Sequence, residues 1–183
     1  GTLSAVRRLE DVIYAFARVR ARCPHATLYM VGEGDSPADR RALERLVEEL
    51  GLTFAVTFTG FVPMEEAWRL AAGSAVCLSP FYPSRILSST SPTKLIEYMA
   101  LGRPVDCNDH PEQSAIIAQS HAGLCVPWGA EAFADAICRL LQNPAQAEAM
   151  GARGPAWVAE HRRYDVIARA VHARYRELLE DRR

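Results

Sequence analysis

The chain has 183 residues, of which 49% are hydrophobic and 23% charged, and its formal net charge is -1. This is the composition of an ordinary globular domain, and the near-zero charge argues against a nucleic-acid-binding protein. No apolar stretch is long enough to span a bilayer, and the first residues lack the apolar core of a signal peptide.

Short apolar runs alternate with segments of helical periodicity along the chain. The pattern predicts helices at 9–24, 36–51, 64–73, 91–102, 111–120, 131–142, 144–161 and 164–183, and strands at 26–34, 55–63, 74–80, 103–109 and 122–128. This alternation indicates right-handed βαβ units on a doubly wound parallel sheet, a Rossmann-like α/β fold with extra C-terminal helices. We expect residues 1–183 to form one domain, with ligands at the carboxyl ends of its strands.

The chain start and the cysteines give two further expectations. The opening "GTL" is typical of a strand exit without its strand, which predicts that the chain is part of a longer polypeptide. The five cysteines are scattered, with no CxxC pair. They predict free thiols in a reducing cytoplasm, with neither a zinc site nor a disulfide framework.

The helix predicted to begin at Ser91 carries the strongest local signal. Ser91 is placed to cap it and Pro92 to occupy its first position, which would leave the N–H groups of residues 93–95 free to bind an anion. Lys94 is a cation in the first turn, where the helix dipole disfavours it unless an anion is bound. Glu97 lies one turn further along the same face. The alternative is a solvated Lys–Glu pair on the surface.

Other strand exits give weaker signals. Arg7 and Arg8 follow the opening glycine loop and are suited to a diphosphate, although solvated arginines are common at such places. Gly32 and Gly34 form an incomplete dinucleotide fingerprint, which argues against a Rossmann dehydrogenase. Gly60 indicates a turn with exposed main-chain groups near a possible base.

Five motifs occur in one order: "GTLSAVRRLEDVIYAFARV", "LYMVGEGD", "VTFTGFVPMEE", "SPTKLIEYMALGRPV" and "HAGLCVPWGAEAFADAI". Together they resemble the C-terminal, donor-binding domain of a family 4 glycosyltransferase of the GT-B type. The resemblance implies retaining transfer from a UDP-, GDP- or ADP-linked sugar, with no required metal or other cofactor. It also implies an enzyme whose N-terminal acceptor domain is absent from this chain, so that the isolated domain would bind donor weakly and catalyse little.

The resemblance also assigns residues to roles. Arg7 and Lys94 would be catalytic, since they would offset the charge of the leaving diphosphate. Glu97 would bind the ribose, and residues 60–62 would lie near the base. The donor-binding set that the resemblance implies is Gly1, Thr2, Arg8, Gly60, Phe61, Val62, Ser91, Pro92, Thr93 and Glu97.

Two positions depart from the family pattern. Thr2 stands where the family carries an arginine, and Ser89 stands where it carries the first of two glutamates. The predicted loop at 81–91 contains no acidic residue at all. Because that first glutamate approaches the donor sugar, its replacement bears on both sugar identity and activity.

Two alternatives to a transferase stay open. A non-catalytic nucleotide-sugar-binding module is favoured by Ser89. A sugar-nucleotide epimerase of GT-B architecture would need acid/base residues, for which His110, Asp109 and Glu112 are the candidates. In the whole protein we expect the last helix to pack back on the acceptor domain, with membrane-surface association arising through the missing half.

Overall fold

Helices and parallel strands alternate along the part of the chain that the computed structural model describes, residues 1–180. The strands are β1 (Leu28–Val31), β2 (Val56–Gly60), β3 (Cys77–Ser79), β4 (Val105–Asn108) and β5 (Gly123–Val126). The helices are α1 (Glu10–Arg22), α2 (Pro37–Glu49), α3 (Met64–Ala72), α4 (Thr93–Ala100), α5 (Pro111–Ser120), α6 (Ala130–Gln142), α7 (Pro144–Gly151), α8 (Gly154–His161) and α9 (Tyr164–Glu180). Short 3-10 turns lie at Ala5–Arg7 and Leu87–Ser89. The predicted end of the last helix, 181–183, lies outside the described residues.

Every strand ladder is parallel, which confirms the predicted Rossmann-like α/β class. Within residues 1–180 the strands form two hydrogen-bonded groups, β1–β2 and β3–β4–β5, where we expected one continuous sheet. The main-chain partner beside the exit of β1 is the start of the chain. Thr2 forms a parallel bridge with Glu33, and the nitrogen of Leu3 donates to the Glu33 carbonyl at 2.7 Å.

Two hydrophobic cores hold these layers together. The larger core joins α1, α2 and α6 to the β1–β2 pair, with Ile13, Val19 and Phe133 among its buried members. The smaller core packs α4 and α5 on β4 through residues such as Leu95 and Ile116. Helix α6 of the larger core also contacts β4, so helices of both cores pack on this strand, as expected of a doubly wound fold.

The predicted helix at 144–161 is wrong as a single element, because it breaks between α7 and α8. A Cβ at Gly151 would lie 2.3 Å from the Gly102 carbonyl oxygen, and one at Gly154 would lie 2.3 Å from that of Met99. The two glycines let the chain pack directly against the backbone at the end of α4. The close approach needs a change of direction that one straight helix does not provide.

The helices of this fold are short or amphipathic. Within residues 1–180 none has both the length and the apolar character needed to cross a membrane.

Candidate functional site

The site is built around the contact between the chain start and the exit of β1. The nitrogen of Gly1 donates to the Val31 carbonyl at 2.7 Å. Gly32 has φ +131°, and a Cβ there would lie 1.7 Å from the Gly1 carbonyl oxygen. Only glycine fits both the backbone angle and this separation. The "VGEG" motif therefore serves a close approach of two main-chain segments at the carboxyl end of the strands.

Lys94, the only lysine of the chain, reaches this contact from the first turn of α4. Its Nζ lies 2.9 Å from the position that a Cβ on Gly1 would take. Burial lowers the pKa of Lys94, the nearby charge of Arg7 lowers it further, and Glu97 opposes both effects. Within residues 1–180 the ammonium pairs with no carboxylate. A partly buried cation without a partner raises the free energy of the folded chain unless an anion joins it.

The two neighbouring arginines differ in their surroundings. Arg8 has a left-handed backbone, forms an ion pair with Glu10, and lies 5.5 Å from the centre of the Tyr82 ring. Arg7 is half-buried, and its charge acts on Lys94. In the described part of the chain Arg7 has no carboxylate partner, so it is better placed than Arg8 to meet an anion beside Lys94.

The start of α4 differs from the prediction in one respect. The helix begins at Thr93, with Pro92 as the cap residue, and the Ser91 side chain makes no capping hydrogen bond. The Thr93 nitrogen donates to the Ser91 carbonyl at 3.0 Å and that of Leu95 donates to the Pro92 carbonyl at 3.1 Å. Two of the three N–H groups expected to be free are therefore engaged, because the turn before the proline satisfies them. At this helix the prediction of an anion site therefore depends on the Lys94 side chain more than on free N–H groups.

Glu97 lies on the same face of α4 as Lys94, three residues on. Its carboxylate is half-buried and accepts no hydrogen bond from another residue among 1–180. It is close enough to Lys94 to raise the pKa of that ammonium. The predicted Lys–Glu arrangement thus lies beside the Gly1 loop, and its carboxylate keeps its full capacity to accept hydrogen bonds.

The exit of β2 lies against the exit of β1. The nitrogen of Gly32 donates to the Gly60 carbonyl at 3.1 Å. A Cβ at Gly60 would lie 3.2 Å from a carboxylate oxygen of Glu33, which also pairs with Arg40 at 3.3 Å. No local pattern marks Glu33 and Arg40 as site residues, because their position beside Gly60 depends on the pairing of β1 with β2. Phe61 is 85% exposed beside them, and Val62 is half-buried.

The Asn108 side chain holds the loop between β3 and α4 through two hydrogen bonds to the main chain of Phe81. Its Nδ2 donates to the Phe81 carbonyl at 2.9 Å, and its Oδ1 accepts from the Phe81 nitrogen at 2.7 Å. His110 holds the same loop further along, with its Nε2 at 3.1 Å from the Leu87 carbonyl and its ring centre 5.0 Å from that of Phe81. The buried His110 ring thus packs against the loop and supports it, which argues against a role for His110 as an acid/base group.

Of the other two acid/base candidates, Glu112 is engaged in an ion pair and Asp109 is not. Glu112 forms an ion pair with Arg162 at 2.9 Å, which ties α5 to the turn after α8. Asp109 is exposed. His110 and Glu112 are both engaged in structural contacts. Of the three acid/base candidates for an epimerase, Asp109 is therefore the one whose side chain is free among residues 1–180.

Ser89 lies in the 3-10 turn before α4. Its side chain is exposed, and its hydroxyl donates to the Ile86 carbonyl at 2.8 Å. The Ser89 hydroxyl is therefore bound within its own loop. Among residues 1–180 no three histidine, cysteine or carboxylate side chains converge as ligands of a metal ion would.

Comparison with known proteins decides the family. The sequence model of the glycosyl transferases group 1 matches residues 1–143. The chain belongs to this family. The expected resemblance to GT-B glycosyltransferases is thereby confirmed, and the site described above lies within the matched region of a group 1 glycosyl transferase.

Similar proteins are glycosyltransferases of several kinds. A GDP-mannose-dependent alpha-(1-6)-phosphatidylinositol monomannoside mannosyltransferase of Mycobacterium tuberculosis is 28% identical over 165 residues, which cover 87% of this chain and 41% of the relative. An alpha-D-kanosaminyltransferase of Streptomyces kanamyceticus is 28% identical over 152 residues, 82% of this chain and 37% of the relative. The structure of a sucrose-phosphate synthase from Thermosynechococcus elongatus superposes with a TM-score of 0.74 at 30% identity and covers 93% of this chain and 43% of that one. The chain thus spans about two fifths of the length of the curated relatives it matches.

Proposed function

We propose that this chain is the donor-binding domain of a retaining family 4 glycosyltransferase, which transfers a sugar from a nucleotide-diphosphate donor to an acceptor. The observation that carries the proposal is the partly buried ammonium of Lys94 beside Gly1, Arg7 and Glu97, which pairs with no carboxylate among residues 1–180. A diphosphate between Lys94 and Arg7 would supply the missing negative charge. The Gly1 and Thr2 main chain would line the same place, since no side chain at position 1 intervenes.

The rest of the donor would extend in two directions from this diphosphate. The ribose would donate hydroxyl hydrogen bonds to the Glu97 carboxylate, which is half-buried and unoccupied by other residues among 1–180. The base would lie towards Gly60, Phe61 and Val62 at the exit of β2. The sugar would meet the α4 start, Ser91 to Thr93, and the loop that Asn108 fixes.

In this proposal Lys94 and Arg7 act on the charge that develops on the leaving diphosphate, where fixed cations accelerate the reaction most. Among residues 1–180 we assign no side chain the role of general base in this transfer, so the donor phosphate itself would assist the incoming hydroxyl. No metal and no other cofactor is required for this arrangement. Arg8, held by Glu10, would contribute main-chain geometry more than charge.

We further propose that the active enzyme is a longer, cytoplasmic protein. Within residues 1–180, β1 has only β2 as a partner strand besides its contact with Gly1, and β3 has only β4, which supports a further parallel strand between β1 and β3. The acceptor domain would face the carboxyl ends of the strands, and a membrane-surface acceptor would bind through that half.

Calorimetry with UDP, GDP, ADP and their sugar conjugates tests the donor site directly. Saturable binding of one nucleoside diphosphate, with a clear preference over the other two, is the expected result and would identify the base. Absence of binding to this chain and to the full-length protein alike, at millimolar nucleotide, would overturn the proposal.

A Glu97→Gln variant is expected to reduce selectivity for the ribose. The wild-type chain should bind a nucleoside diphosphate about 10-fold more tightly than its 2′,3′-dideoxy analogue, because hydrogen bonds to a charged acceptor contribute about 1.5 kcal/mol or more. In Glu97→Gln this preference should shrink, because the neutral amide oxygen accepts weaker hydrogen bonds than a carboxylate does. Inorganic pyrophosphate is the control, since its affinity should not fall. Equal preference for ribose in both proteins would contradict the assignment of Glu97.

The non-catalytic alternative is favoured by one observation, the Ser89 hydroxyl bound within its own loop where the family carries an acid. Both readings predict nucleotide binding, so binding alone does not separate them. Hydrolysis or transfer of the bound sugar by the full-length protein separates them. A protein that binds donor at the expected affinity yet releases no nucleoside diphosphate from it would be a binding module.

A further inference from the structure

Two cysteines that lie far apart in the sequence meet at the end of the fold remote from the strand exits. Cys23 follows the last residue of α1, and Cys138 lies in α6, 115 residues later. Their sulfur atoms are 4.0 Å apart. Cys23 is partly exposed and Cys138 is fully buried. The pair thus joins one accessible thiol to one inside the larger core.

The surrounding contacts hold the pair in place. Helices α1 and α6 pack along each other in the larger core, and Arg22 forms an ion pair with Asp135, one turn before Cys138. The Gln142 side-chain nitrogen lies 3.9 Å from the Cys23 sulfur. A disulfide needs a sulfur separation of about 2.05 Å. Closing the remaining gap requires rotation of the Cys23 side chain, which follows the last residue of α1.

We propose that Cys23 and Cys138 are a reversible oxidation site, which forms an intrachain disulfide by exchange with a low-molecular-weight disulfide such as oxidised glutathione. The Cys23 thiolate attacks one sulfur of the oxidant, forms a mixed disulfide and releases one glutathione thiolate. The Cys138 thiol then loses its proton to that thiolate or to solvent, and its sulfur attacks Cys23. The second glutathione leaves, so that two protein thiols are oxidised and one oxidised glutathione is reduced to two thiols.

The order of the two steps follows from exposure. Cys23 is the thiol that an external disulfide can reach. Burial raises the pKa of Cys138, which suits a resolving thiol that reacts only with a sulfur already beside it. The product would cross-link two core helices over a long loop, and such cross-links stabilise a fold chiefly by restricting the unfolded chain.

The chain contains its own control pair. Cys107 and Cys125 are direct neighbours on β4 and β5, and the Cys125 sulfur lies 3.4 Å from the Ser114 hydroxyl. A general tendency of this protein to oxidise would involve that pair as well. The proposal requires that it does not.

The experiment treats the 183-residue chain with oxidised glutathione, blocks free thiols with iodoacetamide and maps the peptides without reduction. Digestion with trypsin and a glutamate-specific protease separates the cysteines, because Glu131 lies between Cys125 and Cys138 and Glu112 between Cys107 and Cys125. We expect one cross-linked species, Cys23–Cys138, together with a rise in Tm of about 5–10 °C that dithiothreitol reverses.

Three variants complete the test. Cys23→Ser and Cys138→Ala should each abolish the Tm rise, and Cys125→Ser should keep it in full. Glutathione left on Cys23 without the cross-link, a Cys107–Cys125 cross-link, or thiols that all remain free would each overturn the proposal. Peptide mapping of the wild-type chain decides the matter even if Cys138→Ala folds poorly.

Discussion

Lys94→Met is expected to lower the affinity for a nucleoside diphosphate by about 10–100-fold and, at the same time, to raise the free energy of unfolding by about 1 kcal/mol. The loss of affinity follows because a charge-assisted contact to phosphate disappears. The gain in stability follows because a partly buried ammonium, repelled by Arg7 and paired with no carboxylate among residues 1–180, is replaced by a side chain that buries at no electrostatic cost. Calorimetric titration and chemical denaturation measure the two effects on the same sample.

The opposite signs make this variant diagnostic. A solvated Lys–Glu pair would give small changes in both measurements, and a purely structural lysine would give a loss of stability. Arg41→Met is the matched control, since it removes one exposed cation from α2 and changes the net charge equally. Its affinity for nucleoside diphosphate should stay within about 2-fold of wild type at 0.15 M salt.

The charge of Lys94 can also be observed directly, because the chain has no other lysine. Reductive methylation with carbon-13 formaldehyde gives one lysine signal, besides that of the α-amino group. Its pKa should lie below the usual lysine value in the free protein and rise when nucleoside diphosphate binds, since an anion favours the charged form. Binding should therefore take up protons as the pH approaches the lowered pKa. A lysine signal that titrates identically with and without nucleotide would contradict the assignment.

The order of elements and the presence of Lys94 and Glu97 at the strand exits were predictable from local patterns. Apolar runs identified all five strands, and the Ser36–Pro37 start of α2 is present with its capping box. These features depend on residues close in sequence, which is where periodicity and capping rules apply.

The errors share a different cause, namely contacts between distant segments. The helix at 144–161 breaks because Gly151 and Gly154 meet the backbone near α4. The Arg8 guanidinium packs over the Tyr82 ring, which is distant in sequence. The structural role of His110 likewise depends on its contact with the Leu87 carbonyl. No local pattern contains these pairs, so the sequence indicated candidate residues without showing which were already engaged. The meeting of Gly1, Gly32 and Lys94 likewise became evident only in three dimensions.

Asp106→Val is expected to raise the free energy of unfolding by about 3 kcal/mol at pH 7. Asp106 lies in the middle of β4 with 0% of its surface exposed, and neither carboxylate oxygen has a hydrogen-bond partner among residues 1–180. Its strand neighbours at the same level are Leu78 and Leu124. Burial raises the pKa of the carboxyl well above its ordinary range. Valine suits this position because it is apolar and β-branched.

The pH dependence identifies the cause. Well below pH 4 the Asp106 carboxyl is protonated in both the folded and the unfolded chain, and its titration contributes nothing to the difference. As the pH rises, the unfolded chain loses this proton while the folded chain keeps it, so wild-type stability falls relative to Asp106→Val. The advantage of valine should therefore grow steadily from pH 4 to pH 7 in urea denaturation.

Asp106→Asn separates charge from polarity in the same series. Asparagine keeps the shape and the unmet hydrogen-bonding need but cannot ionise, so its stability relative to Asp106→Val should be lower and independent of pH. Wild type should lie near the asparagine variant at pH 4 and below it at pH 7. A constant gap between wild type and Asp106→Asn across this range would mean that the Asp106 carboxylate finds a cation or water in solution. A growing gap would mean that the group 1 domain keeps a neutral carboxylic acid inside its central strand, at a cost that no contact within residues 1–180 offsets.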